Sequence, residues 1–162
     1  MKKKTIIISV FVLLALCVAF IFSNSLKNGS ETTSQSGAVK EIVDSILNFL
    51  NINLEISEEN IRTLGHFAEF FALSLVLTIA SLMLFPFNFE NPFTKKLIIY
   101  FLPIIISTLI AFIDEFIQLF SPGRACDIMD VLVDFSGAAV ANLLTMGIVF
   151  IIYAIKRNKS KD

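Results

Sequence analysis

Four stretches of this chain are almost devoid of polar residues. They cover about 5–22, 64–85, 97–120 and 131–155, and each approaches or exceeds the roughly 20 apolar residues that carry a helix across the hydrocarbon core of a bilayer. Only the first is free of charge. The second holds His66 and Glu69, the third ends in Asp114 and Glu115, and the fourth contains Asp134.

The loop at 23–63 has a pattern of its own. Residues 28–37, NGSETTSQSG, are rich in Ser, Thr and Gly and read as a flexible linker. Over 38–50 the apolar residues Val39, Ile42, Val43, Ile46, Leu47 and Leu50 recur at helical spacing, which predicts an amphipathic helix. Its polar face, with Lys40, Glu41, Asp44 and Asn48, lacks the strong positive charge suited to anionic lipid, so packing on the protein is expected. Ser57, followed by Glu58 and Glu59, reads as a helix start ahead of the second span. The expected fold is an all-α polytopic membrane protein: a four-helix transmembrane bundle with one extra amphipathic helix in the first loop, forming a single domain over 1–162.

Composition agrees with this reading. The chain is 56% hydrophobic and 17% charged, too apolar for a water-soluble domain of its size. Its 17 phenylalanines read as lipid-facing or core packing and call for no ligand. The distribution of lysine and arginine sets the orientation, because loops on the cytoplasmic side are enriched in them. Lys2, Lys3 and Lys4, then Lys95 and Lys96, then Lys156, Arg157, Lys159 and Lys161 fall on one side of a four-helix arrangement. The expectation is a multi-pass protein of the cell membrane with both termini in the cytoplasm and the first and third loops outside.

The N-terminal KKK and apolar run also resemble a signal peptide, but the run is longer than an h-region and no A-x-A site follows it, so an uncleaved first helix is preferred. Leu16 before Cys17 argues against lipoprotein processing. Cys17 then serves as a small hydrophobe, and Cys126 in the third loop has no evident partner.

With this orientation the charges collect at one depth. His66 and Glu69 lie at the outer end of the second helix, Asp114, Glu115 and Gln118 at the outer end of the third, and Asp127, Asp130 and Asp134 at the start of the fourth, while Ser23, Asn24 and Ser25 close the first at the same level. Intramembrane ionisable groups usually face a bundle interior or a water-filled cavity. Asp127, Asp130 and Asp134 share a helical face that continues into the small residues Gly137, Ala138 and Ala141, so Asp134 is expected to point inward. In SPGR, Pro122 and Gly123 suit the central positions of a type II turn, which holds Arg124 beside the acids.

Each residue also has a plain structural reading. His66 near a helix end is first an interfacial hydrogen-bonding residue, Glu115 with Arg124 is an ion pair pinning helix to loop, and Asp127 is a solvated helix start.

The segments GHFAEFFAL at 65–73 and DEFIQLFSPGRACDIMDVLVDFSGAAVA at 114–141, with Ser23 to Ser25 after the first helix, resemble the VanZ-like family of membrane proteins. The resemblance rests on Asp114, Glu115, Gln118, Phe120, Pro122, Gly123, Arg124, Asp127, Asp130 and Gly137. Two positions depart from the family pattern: Asp134 stands where Asn is frequent, and Arg62 is the nearest counterpart of a lysine upstream of the histidine. What the resemblance implies is an association with low-level resistance to teicoplanin, a lipoglycopeptide, in a Gram-positive cell envelope.

Two classes of function follow. In the first, His66, Glu69, Asp114, Glu115, Gln118, Arg124, Asp127, Asp130 and Asp134 line an outer site that binds an amphiphile, with Arg124 as the anion contact. In the second, His66, Glu69, Glu115, Asp127, Asp130 and Asp134 hold a divalent cation that activates water against a lipid phosphate or ester. No nucleophile–base spacing or metalloenzyme motif supports catalysis, so the first is preferred and no cofactor is assigned. A transporter fits poorly with four helices unless the protein dimerises. The expected partners are membrane lipid and a lipoglycopeptide or cell-wall lipid, with a homo-oligomer left open and no nucleic acid.

Overall fold

A computed structural model describes residues 2–88 and 91–159. Lys161, one of the basic residues assigned to the C-terminal tail, lies outside the described residues. Five helices follow one another: α1 Lys2–Ser25, α2 Gly29–Phe49, α3 Glu58–Leu84, α4 Phe93–Gln118 and α5 Ile128–Lys159, with no strand among the described residues. Four of them, all but α2, are long and apolar enough to cross a membrane. The helices outrun the apolar stretches that predict them: α5 has 32 residues, about 48 Å at 1.5 Å per residue, against a hydrocarbon core of roughly 30 Å.

The distribution of burial is that of a membrane protein. At the end of α4 the buried residues are Asp114, Glu115 and Gln118, while Phe112, Ile113, Phe116, Leu119 and Phe120 around them are exposed. Glu115 is 1% exposed and its neighbour Phe116 60%. In water this arrangement would bury charge and expose aromatic surface together; in a bilayer the apolar face meets lipid and the polar face turns to the bundle interior.

The four long helices alternate in direction, bringing the C-termini of α1 and α4 and the N-termini of α3 and α5 together at one end, called here the polar end. Below it, Ile21, Phe70, Leu73, Leu77, Ala111 and Val131 form one core cluster, and Phe87, Ile99 and Met146 form a second toward the opposite end. The most extensive pairing is α3 against α5, where Gly137 meets the backbone of Phe67 and the Ser74 hydroxyl donates to the Ala138 carbonyl at 2.9 Å.

Pro103, inside α4, lacks the N–H that would close onto the Ile99 carbonyl. One residue along, the Tyr100 carbonyl accepts from Asn142 Nδ2 of α5 at 2.6 Å. Asn142 Oδ1 is buried without a partner, so part of the amide's gain is offset. Asn142→Ala is therefore expected to lower stability by only about 0.6–1 kcal/mol, the usual scale for an interhelical hydrogen bond in a membrane bundle, as measured by unfolding in mixed micelles.

The loop departs from expectation. Residues 28–37, read as a flexible linker, are helical from Gly29 on. Asn28 caps the helix: its side chain accepts from the Glu31 N–H at 2.9 Å, and the Glu31 carboxylate accepts from the Asn28 N–H at 3.0 Å, a reciprocal capping box. The hydroxyls of Thr32 and Thr33 fold back onto the carbonyls of Asn28 and Gly29. Composition alone hides these local bonds and the docking of Gly29 described below. The helix ends with Asn51 at φ 53, the Ile52 N–H bonded to the Leu47 carbonyl and the Asn51 N–H to that of Asn48, a Schellman closure. α2 packs on the protein around Gly29, Thr32 and buried Ser36 and, further along, through half-buried Val43 and Leu47, while Ile42, Ile46, Phe49 and Leu50 are exposed, an apolar face suited to the membrane surface.

Candidate functional site

The site is built on the turn after α4. The Arg124 N–H bonds to the Ser121 carbonyl at 3.2 Å and Gly123 has φ +77, the type II geometry that Pro122 and Gly123 predict. Two side chains of this turn satisfy the last carbonyls of α1, which have no partner within their own helix. The Ser121 hydroxyl donates to the Ser25 carbonyl at 2.7 Å and Arg124 donates to the Asn24 carbonyl at 3.2 Å. Arg124 thus does not pair with Glu115. Instead Glu115 accepts the Asp127 N–H at 2.8 Å, tying α4 to the start of α5, and its other oxygen is buried without a partner. The reason is directional: the Asp127 amide is a free helix-start donor, whereas Arg124 is drawn to the negative end of α1.

Asp114 is held from two sides, its carboxylate accepting from the Ser25 hydroxyl and, at 3.0 Å, from Gln118 Nε2. Glu69 accepts from Asn24 Nδ2 at 2.7 Å. Asp130 is buried and faces Arg62, with 3.8 Å between their nearest charged atoms. His66 Nδ1 lies 3.3 Å from Asp134 Oδ1, an approach without hydrogen-bond geometry. Asp134 is fully buried, pointing inward.

Of the nine expected site residues, His66, Glu69, Asp114, Glu115, Gln118, Arg124, Asp130 and Asp134 converge at the polar end. Asp127 differs. It is exposed, and its carboxylate accepts the Met129 N–H at 2.8 Å at the start of α5, so the shared spacing with Asp130 and Asp134 does not carry it inward. Arg62, Asn24 and Ser25 belong to the same network and were not among the nine. For Asn24 and Ser25 the signal was their position at the end of the first apolar run; for Arg62 it was one helical turn before His66.

Two cavities open here beneath α2. One, about 500 Å³, has a polar wall that includes Thr33, Gln118, Asp127 and Asp130. The other, about 320 Å³, combines His66 and Glu69 with the apolar side chains of Val39, Val43, Ile61 and Leu64. Thr32, Ser36, Arg62 and Arg124 line both. Partial burial, and after it the proximity of Arg62, lowers the Arg124 pKa from its ordinary value, while the surrounding acids oppose the shift. An arginine still carries its charge at neutral pH, so two guanidinium groups stand at the junction of a polar and a partly apolar cavity.

A family model described as VanZ/LLP1 matches residues 10–153. The chain belongs to the VanZ/LLP1 family. All residues of the polar end lie inside the matched stretch, so this region is part of the VanZ/LLP1 domain rather than an addition to it. Neither the curated proteins nor the solved structures compared with the chain include a match.

Proposed function

We propose that this VanZ/LLP1 membrane protein binds an anionic amphiphile of the cell envelope at the polar end of its bundle, on the extracytoplasmic side. The headgroup sits between Arg62 and Arg124, and the first part of its chain lies along Val39, Val43, Ile61 and Leu64. The observation that carries the reading is the pair of adjoining cavities with both arginines at their common wall. An anion there gains two charge-assisted contacts, and neither guanidinium is saturated: Arg62 has one loose ion pair and Arg124 one backbone contact. The orientation rests on the basic residues at the opposite end, Lys95 and Lys96 in the first turn of α4 and Lys156, Arg157 and Lys159 ending α5. Low-level protection against teicoplanin, itself an amphiphile acting outside the cell membrane, is the cellular outcome this site would support.

The test is binding of a short-chain polyprenyl phosphate, and separately of teicoplanin, to the detergent-purified protein. Arg62→Ala is expected to weaken binding ten- to a hundredfold, the scale of one charge-assisted hydrogen bond, and Arg62→Ala with Arg124→Ala to remove it. In a Gram-positive host at matched membrane levels, wild type should raise the teicoplanin concentration needed for inhibition and Arg62→Ala should not. Wild-type binding by the double variant would overturn the reading.

A further inference from the structure

Three helices each send one metal-binding type of side chain to a single point under the cavities. His66 comes from α3, Asp114 from α4 and Asp134 from α5, and one ligand atom of each lies within 4.8 Å of the others. We propose that these three residues hold a divalent transition-metal ion, Zn²⁺ or Mn²⁺, with its open coordination positions toward the 320 Å³ cavity that His66 lines.

A grouping of acids and a histidine would not suffice alone, because such groups also form plain ion-pair networks. What singles out this one is Asp134. It has 0% exposure, and neither carboxylate oxygen accepts a hydrogen bond. Buried charges are normally paired, and leaving one without a counter-charge is strongly unfavourable. Neither arginine reaches Asp134: Arg62 faces Asp130 and Arg124 the end of α1, which leaves His66, 3.3 Å away without hydrogen-bond geometry and charged only if protonated, as its counter-charge. His66 Nδ1 is likewise buried without a hydrogen-bond partner; with that nitrogen unprotonated, it and the two carboxylate oxygens of Asp134 are acceptors facing one another. A cation resolves all three at once.

The grouping takes in no other acid of the polar end: Glu69 is bonded to Asn24, Glu115 through one oxygen to the Asp127 amide, and Asp127 to the start of α5. The structure thus narrows a broad set of acids to three ligands, one of which, Asp114, spacing alone did not suggest. Asp114 also has the outer support that metal ligands usually have, the Ser25 hydroxyl and the Gln118 amide.

The donor set fits the proposed ions. One imidazole nitrogen with two carboxylates suits zinc or manganese, whereas magnesium and calcium favour oxygen throughout. Bond lengths near 2.0–2.2 Å in a tetrahedral site put ligand atoms roughly 3.4 Å apart. His66 and Asp134 stand at 3.3 Å already, and an oxygen of Asp114 lies within 4.8 Å of both. Three protein ligands leave a position for water or for an anionic oxygen of a bound headgroup. Only that last clause rests on the amphiphile reading; the metal site itself does not.

The experiment uses the metal alone. Full-length protein in detergent is stripped with a chelator and titrated with Co²⁺, followed by its d–d absorption, with Zn²⁺ as competitor. The expected result is one Co²⁺ per chain, displaced by Zn²⁺. His66→Gln and Asp134→Asn should each weaken binding at least a hundredfold, and Ser25→Ala about tenfold through loss of support to Asp114. Glu41→Gln, on the exposed face of α2, should bind as wild type. If Asp134→Asn fails to keep its helical circular dichroism, His66→Gln decides. Absence of saturable Co²⁺ binding to folded wild type overturns the proposal, as does unchanged binding by His66→Gln. Polyprenyl-phosphate binding to the chelator-treated protein is measured in parallel, so loss of the metal reading leaves the arginine site standing or falling on its own result.

Discussion

Gly137→Val is expected to unfold the bundle or prevent its assembly. At this buried position in α5, a Cβ would meet the carbonyl oxygen of Phe67, with the carbonyl carbon at 3.1 Å and the Cα at 3.3 Å. All three are backbone atoms of a neighbouring helix, so no side chain can swing aside, and α5 must move bodily away from α3. The displacement would lift Ala138 and Ala141, both fully buried, and strain the bond from Ser74 to the Ala138 carbonyl. Overpacking typically costs about 1–3 kcal/mol. Gly137→Ala should fall inside that range, and valine, with two further methyl groups, should reach or exceed its top. The effect extends to the polar end, since Phe67 follows His66 and Gly137 lies three residues after Asp134, so separating the helices there separates those two side chains. Gly147→Ala is the matched control: nothing lies within 4 Å of its new methyl, and alanine's helix propensity makes it neutral or slightly stabilising. Thermal unfolding in detergent, followed by helical ellipticity, reads both. Wild-type stability in Gly137→Val would mean that the α3–α5 approach is looser than described.

The four long helices were legible because a bilayer imposes one length and one composition on any segment that crosses it. Inward-facing positions could also be read. Asp134 and Gly137 lie on one helical face, and charge in a lipid-facing position is too costly to be placed there casually. The partners were not legible. Glu115 was paired with Arg124 on proximity in sequence, yet Arg124 turns to the carbonyls that end α1 and Glu115 to an amide that starts α5. Both choices depend on helix ends, whose unpaired N–H and C=O groups compete with side chains for every nearby charge. Asp127 was legible as a helix start, and as the residue before α5 it serves that start at the rim of the larger cavity; the spacing rule that links it to Asp130 applies only within a helix. The segment 28–37 was misread because its Ser, Thr and Gly content signals flexibility only where nothing receives it. Here Asn28 and Glu31 close a capping box and Gly29 fits against the turn at Gly123.

That fit makes position 29 the hinge of the second large prediction. The Gly29 N–H donates to the Pro122 carbonyl at 2.9 Å, and a Cβ on residue 29 would lie 2.5 Å from the Gly123 carbonyl oxygen. Gly123 cannot easily yield, because its φ of +77 is held by the turn that positions Arg124. Gly29→Val should therefore undock the first half of α2 while leaving its capping box and the four long helices in place. Thr32 and Ser36 line both cavities, so lifting this half of α2 opens the site to water, screens the two arginines and removes Val39 and Val43 from the apolar wall. The expected result is a bundle whose unfolding is within about 1 kcal/mol of wild type, the usual range for a change away from the core, with amide exchange over 29–40 faster by one to two orders of magnitude. Affinity for the polyprenyl phosphate should drop about tenfold, less than for loss of both arginines because the charges remain. Co²⁺ binding should persist, since His66, Asp114 and Asp134 are carried by α3, α4 and α5. Rapid exchange with undiminished lipid affinity would place the amphiphile elsewhere than under α2, and unchanged exchange would mean that α2 is held by contacts other than the glycine pair.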